Sequence, residues 1–171
     1  MSLSMLSSPI CLPKERMSSS ARLKPRTQAV RILYEVFQTN HDLEQVLHRH
    51  LTTPIVNELA DEDTSYPINP THEHLVRHLV TQAIHHRLAI DAMIMTLAPD
   101  KPLDEMPLLQ RIVLHIAISE IRYLDGTMRA EIPVIINAAV EIAKAYVGDE
   151  AARFVNGILG MIALRYPDKS A

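Results

Sequence analysis

Residues 135–159, I-I-N-A-A-V-E-I-A-K-A-Y-V-G-D-E-A-A-R-F-V-N-G-I-L, constrain this chain more than any other stretch, because two apolar stripes of helical period meet there at Gly148-Asp149. Ile136, Ala139, Val140, Ala143 and Val147 recur at spacings of three and four, which places them on one face of an α-helix. Phe154, Ile158, Met161 and Ile162 repeat the pattern. Gly148 can take the left-handed conformation that ends a helix, and Asp149 can accept hydrogen bonds from the free N–H groups that begin the next one. The spacing predicts helix, hinge and helix.

The rest of the chain fits an all-α fold of about six or seven helices. With 4 glycines and 4% aromatics in 171 residues, the turns of a β-sandwich or barrel would lack their usual residues. A hydrophobic content of 47% is ample for a buried core. The single cysteine, Cys11, lies near the start and has no partner for an internal disulfide, which fits a reducing cytoplasm. No apolar run approaches the roughly 20 residues needed to span a bilayer, and residues 1–12 lack a basic start and a cleavage signal. The expectation is a soluble, cytoplasmic protein.

Charge is unevenly placed. Up to residue 31, six basic residues (Lys14, Arg16, Arg22, Lys24, Arg26, Arg31) face only Glu15, a net +5, and the overall −3 then leaves −8 on the remainder. A basic arm before an acidic body suits an anionic partner for the arm and a basic partner for the body, although solvated surface charge explains the same numbers.

Taken in order, residues 1–20 are Ser-rich and without period, and are expected to form a disordered leader in which Met17 is an alternative start. Ala29, Ile32, Leu33, Val36 and Phe37 describe a first helix, with Pro25 suited to its first turn. Leu43, Val46, Leu47 and Leu51 form a second, short one. Residues 52–70, with D-E-D at 61–63 and three prolines, read as a long mobile loop. One long helix is predicted over 71–97, with Leu75, Val76, Leu79, Val80 and Ala83 on the core side and His74, His78 and His85 opposite. Prolines 99, 102 and 107 break the chain, and Leu109, Ile112, Val113, Ile116 and Ala117 begin a mostly buried helix. A linker follows over 122–131. The division is a leader at 1–20, an N-terminal helical subdomain with the basic arm at 21–98 and a C-terminal one at 99–171. Asn156-Gly157 is a hairpin cue, but the helical stripe runs through it, so a helix is expected in which Gly157 lets a neighbouring helix approach closely.

No machinery for catalysis is legible. Neither phosphate-cradling glycine loop is present, and no nucleophile elbow or Cys/His pairing occurs. His74 and His78 have zinc-ligand spacing, yet they lie on the face expected to meet water, with no Glu of an H-E-x-x-H motif between them and no cysteine ligand nearby. We therefore expect a binding module with no cofactor, no metal and no enzymatic activity.

The C-terminal half resembles the NusB family of bacterial transcription antitermination factors. The matching residues are I-N at 136–137, A-V-E-I-A-K at 139–144 and above all R-F-V-N-G-I-L at 153–159, supported by A-V-R-I-L-Y at 29–34 and R-I-V-L-H-I-A-I-S-E at 111–120. The resemblance implies two packed helical subdomains and no catalysis. It also implies binding to boxA RNA of ribosomal RNA operon leaders as a heterodimer with NusE, the ribosomal protein S10, within an RNA polymerase antitermination complex. By the same resemblance, the arginine-rich arm falls on Arg22, Lys24 and Arg26. The neighbouring RNA-facing surface includes Tyr34, Lys144, Glu150, Arg153 and Phe154, and the partner surface includes Gln110, Arg111 and Glu120. Phe154 or Tyr34 would stack on bases if exposed, and Phe154 would otherwise be core. Leu23 and Pro25 interrupt what is often a denser arginine run, Ala138 replaces an acidic residue, Pro133 lies closer to I-N than is typical, and Ser119 stands where an aromatic is common. Similar proteins occur as monomers or as homodimers that hide the RNA surface. Two other readings are a protein-interaction scaffold and the RNA-binding domain of an RNA methyltransferase, the latter disfavoured because no cofactor-binding α/β domain precedes Ala171.

Overall fold

A computed structural model describes residues 19–53 and 70–166, with backbone only at 19–22 and 127. Cys11, Met17, most of the leader and the acidic run at 61–63 lie outside the described residues. Among those described, all regular structure is helical: α1 Ser19–Gln38, α2 Leu43–Thr52, α3 Pro70–His85, α4 Arg87–Leu97, α5 Leu108–Tyr123, α6 Ile132–Tyr146 and α7 Asp149–Arg165. Short 3-10 turns at Leu103–Glu105 and Gly126–Met128 occupy the two linkers flanking α5.

The centre of the fold is α5. Every residue of it from Ile112 to Ile121 is buried, as the wide apolar stripe predicts, and it packs against α1, α3, α4, α6 and α7. Leu79, Val80 and Ala83 of α3, Ile32 and Leu33 of α1, and Val155, Leu159 and Ile162 of α7 close one continuous core around it. Burial of each such Leu, Ile or Val side chain contributes about 1.5–3 kcal/mol before conformational entropy is set against it. Among the described residues no helix is long and apolar enough to cross a membrane.

Four local expectations are corrected. The first helix begins at Ser19, so Pro25 lies in its interior rather than its first turn; the ring is buried and one helical N–H donor is lost there. The predicted long helix is two, because His86 takes φ −100° and ψ 16°. The His86 ring stacks on Tyr123 with centroids 3.6 Å apart, while the backbone bonds continue through it from Gln82 and to Ile90. The buried face of α6 is Ile135, Ala138, Ala139, Ile142 and Ala143, and that of α7 is Ala151, Ala152, Val155, Ile158, Leu159 and Ile162. Relative to the predicted stripes both helices are thus rotated, leaving Ile136, Val140 and Phe154 half-buried and Met161 exposed. Finally, Gly157 admits no close neighbour: a Cβ there would meet nothing within 4 Å.

The hinge exists, in different chemistry from that expected. The N–H groups of Val147 and Gly148 both donate to Ala143 O, at 2.9 and 3.0 Å. Gly148 turns the chain at φ +133° and ψ 179°, a region open essentially to glycine alone. Gly148 itself is the cap of α7, with no side-chain capping bond. Asp149 is the first helical residue, where its charge favours the positive end of the helix dipole.

Candidate nucleic-acid interface

In the basic arm, α1 buries one of its cations and leaves Lys24 and Arg31 half-buried. Arg26 is buried, its side chain 6% exposed, and forms a bidentate pair with Glu120, which is 0% exposed. Its Nε donates to Glu120 Oε2 at 2.8 Å and its Nη2 to Oε1. This corrects two assignments: Arg26 is not part of an exposed arm, and Glu120 is not on a partner-facing surface, because each neutralises the other where α1 crosses α5. Lys24, two residues earlier, is half-buried and lies close enough to His72 that its charge, after burial, helps to hold that imidazole below its ordinary pKa. The side chain of Arg22 lies outside the described residues.

Further along α1, Gln28 joins three helices. Its Nε2 donates to the carbonyl of His50 at 2.7 Å, and its Oε1 accepts from His72 Nε2 at 2.6 Å. Arg31 Nε donates to the hydroxyl of Tyr146 at 3.2 Å, which ties α1 to the end of α6 beside the hinge. Tyr34, one helical turn beyond Arg31, is 40% exposed. The structure thus brings Arg31 to the end of α6, with Tyr34 one turn further along the same helix. Sequence reasoning missed Tyr146 because its partner lies 115 positions away.

At the hinge the assigned residues are at the surface. Lys144 and Asp149 face each other at 3.7 Å with side chains 69% and 73% exposed, and Glu150 and Arg153 are exposed as well. Phe154 is half-buried against the core, and Lys101 Nζ sits 4.4 Å from its ring centroid. Lys101, in the turn between α4 and α5, was not singled out by any motif.

Of the expected partner residues on α5, Gln110 and Glu120 are buried and Arg111 is half-buried. Gln110 is buried, with an Nε2 that finds no hydrogen-bond partner among the described residues. Arg111 is half-buried and grips Asp91 of α4 with Nε at 3.2 Å and Nη2 at 2.6 Å. His115 Nε2 donates to Asp91 Oδ1 at 2.7 Å. Burial alone would raise the Asp91 pKa, but the bonds from Arg111 and His115 hold it below its ordinary value. Burial depresses His115 despite the raising influence of Asp91, so the ring is neutral; its proton is on Nε2 and its Nδ1 is left without a partner. His74 and His78 stack at 6.3 Å on the outer face of α3, and no group of three potential metal ligands occurs among the described residues.

Fold and surface define an all-helical protein organised on one buried central helix, with a basic first helix brought beside an exposed, charged helix hinge. A model described as the NusB family matches residues 23–164. The chain belongs to the NusB family. It is 37% identical to the transcription antitermination protein NusB of Chloroflexus aggregans, over 86% of this chain and 90% of that one. It is 36% identical to the corresponding protein of Roseiflexus castenholzii, over 89% of this chain and 98% of that one. Among solved structures, T. maritima NusB is 26% identical, covering 86% of this chain and 94% of that one at a TM-score of 0.69. A chain from a crystal structure of antitermination factors NusB and NusE with double-stranded RNA shares the fold at a TM-score of 0.68, with 20% identity over 88% of this chain and 100% of that one.

Proposed function

We propose that this protein is a transcription antitermination factor that binds the boxA element of nascent ribosomal RNA leaders as a heterodimer with NusE, the ribosomal protein S10, and acts without catalysis. The observation that carries this reading is the match to NusB proteins along nearly their whole length, at 37% identity over 90% of the Chloroflexus protein. The charge distribution supports it. A protein with three or four cations for phosphate gains a modest electrostatic affinity, with a salt slope of about −0.7 per contact on single strands. A second, basic protein recruited by the acidic body would enlarge the surface available to unstacked bases.

In this reading the RNA-facing set is Arg22, Lys24, Tyr34, Lys144 and Arg153, with Glu150 at its rim and Phe154 half-buried under Lys101. Arg26 drops out as an internal residue. Partner contacts would form on surfaces around α5 rather than through Gln110 or Glu120 themselves. The division into subdomains at 21–98 and 99–171 belongs to the same proposal. A gel shift with boxA-containing RNA, with and without NusE, at two salt concentrations tests it: preferential binding of boxA over a scrambled RNA, strengthened by NusE, is expected. Equal binding of both RNAs in every condition would refute it.

A further inference from the structure

We propose that Lys101 contacts RNA phosphate and that Phe154 is its positioning residue, not a base-stacking platform; this rests on the RNA-binding reading above. Three observations lead there. Lys101 is the only cation in the segment 99–107, so any attraction for phosphate from this linker comes from it. Its backbone is fixed: the N–H donates to Ala98 O at 3.1 Å, and Pro102 follows directly. Its ammonium rests over the Phe154 ring at 4.4 Å, and no carboxylate among the described residues pairs with it.

The consequence is geometric. Phe154 is the residue after Arg153, which is exposed one turn past the hinge, so the ring ties Lys101, from a separate element, to the helix that carries Arg153. A lysine held on an aromatic face samples fewer rotamers than a free one and has less conformational entropy left to lose on meeting a phosphate. The ring is half-buried against the core, and the ammonium lies over a face of it. A base could stack on that face only by displacing the ammonium. Asp100, Asp104 and Glu105 are exposed on the same linker and oppose a phosphate there, so the contribution expected from Lys101 is that of a single contact.

The test measures affinity for boxA RNA, with NusE present, across a salt series for Lys101→Met, Lys101→Arg, Phe154→Leu and the double variant Lys101→Met/Phe154→Leu. Lys101→Met should weaken binding several-fold and flatten the salt slope by about 0.7, the value of one phosphate contact. Lys101→Arg should retain the wild-type slope. Phe154→Leu should weaken binding in the same salt-dependent way, and the double variant should be no weaker than Lys101→Met. An unchanged slope in Lys101→Met would overturn the proposal. So would additive losses with a salt-independent contribution from Phe154→Leu, the signature of stacking. Circular dichroism checks folding, and if Phe154→Leu does not fold, the two lysine variants decide. Wild-type protein that ignores boxA overturns the functional reading and this one together, whereas normal wild-type binding with an unaffected Lys101→Met overturns this one alone.

Discussion

Two ion pairs of the same elementary chemistry stand at opposite extremes of this molecule. Arg26 and Glu120 meet where α1 crosses α5, almost fully buried, with two hydrogen bonds between them. Lys144 and Asp149 meet across the α6–α7 hinge, with side chains 69% and 73% exposed, at a separation of 3.7 Å. The difference teaches which cations a ligand can use. A buried guanidinium is committed to its partner, because separating the two leaves an uncompensated charge in the interior. An exposed ammonium in water gains little from its neighbour and is open to phosphate. The sharpest break in this comparison is Glu120→Ala, which should destabilise the fold by about 3–5 kcal/mol in chemical denaturation. Replacing both partners, as Arg26→Met/Glu120→Leu, should recover most of that loss, because the charge left behind is then gone too.

The hinge is expected to depend on backbone conformation where the interior depends on charge. Gly148→Ala places a side chain at φ +133°, where nothing lies within 4 Å of the new Cβ, so its cost is conformational alone. We expect about 1–3 kcal/mol of destabilisation in the same measurement. A much smaller effect would mean that the chain has another way to turn between α6 and α7.

How far such features were legible differs from residue to residue. The helices announce themselves because their apolar residues recur at three and four, and α5 was recognisable as mostly buried from the width of its stripe. Which face of α6 is buried was not legible: the helix is apolar nearly all round, so Ile136 and Val140 compete with Ile135 and Ile142 until the neighbouring helices choose. Gly148 was found because glycine between two stripes has a local meaning, though its dihedral angles differ from those of an ordinary left-handed cap. Arg26 could not be told from Lys24, because its carboxylate lies 94 positions away and no local spacing encodes that contact. Lys101 was passed over for the same reason, since the ring that holds it belongs to α7.

A third polar cluster separates interior from hinge by pH. His115 is buried and neutral beside Asp91, with its pKa lowered first by burial. The unfolded chain takes up that proton near 6.5 and the folded chain resists it. The stability it contributes is therefore fully present above that pH and declines as pH falls below it, by at most about 1.4 kcal/mol per pH unit for one proton. His50 and His72, also lowered chiefly by burial, act in the same direction. The thermal midpoint should fall when pH is lowered through the histidine range, and His115→Gln should flatten that fall. An equally steep fall in the variant would assign the effect to the other histidines. Asp91, held below its ordinary pKa of 3.8, adds a loss only in stronger acid.

The smallest effect on stability is expected at the hinge pair, and it is also the most informative about function. Lys144→Gln removes an exposed charge whose partner Asp149 is equally solvated, so the denaturation midpoint should move by no more than about 0.5 kcal/mol in either direction. If Lys144 meets RNA phosphate, the same substitution should lower boxA affinity and reduce the salt slope by about 0.7. Glu120→Ala should do the reverse, lowering the stability of the fold while leaving the slope of the folded fraction unchanged. The complementary variant, Asp149→Asn, frees Lys144 from its neighbour and removes a negative charge from the start of α7, and should tighten RNA binding modestly. If Asp149→Asn weakened it instead, Asp149 would be needed to hold the lysine in place, and the hinge would resemble the interior pair after all.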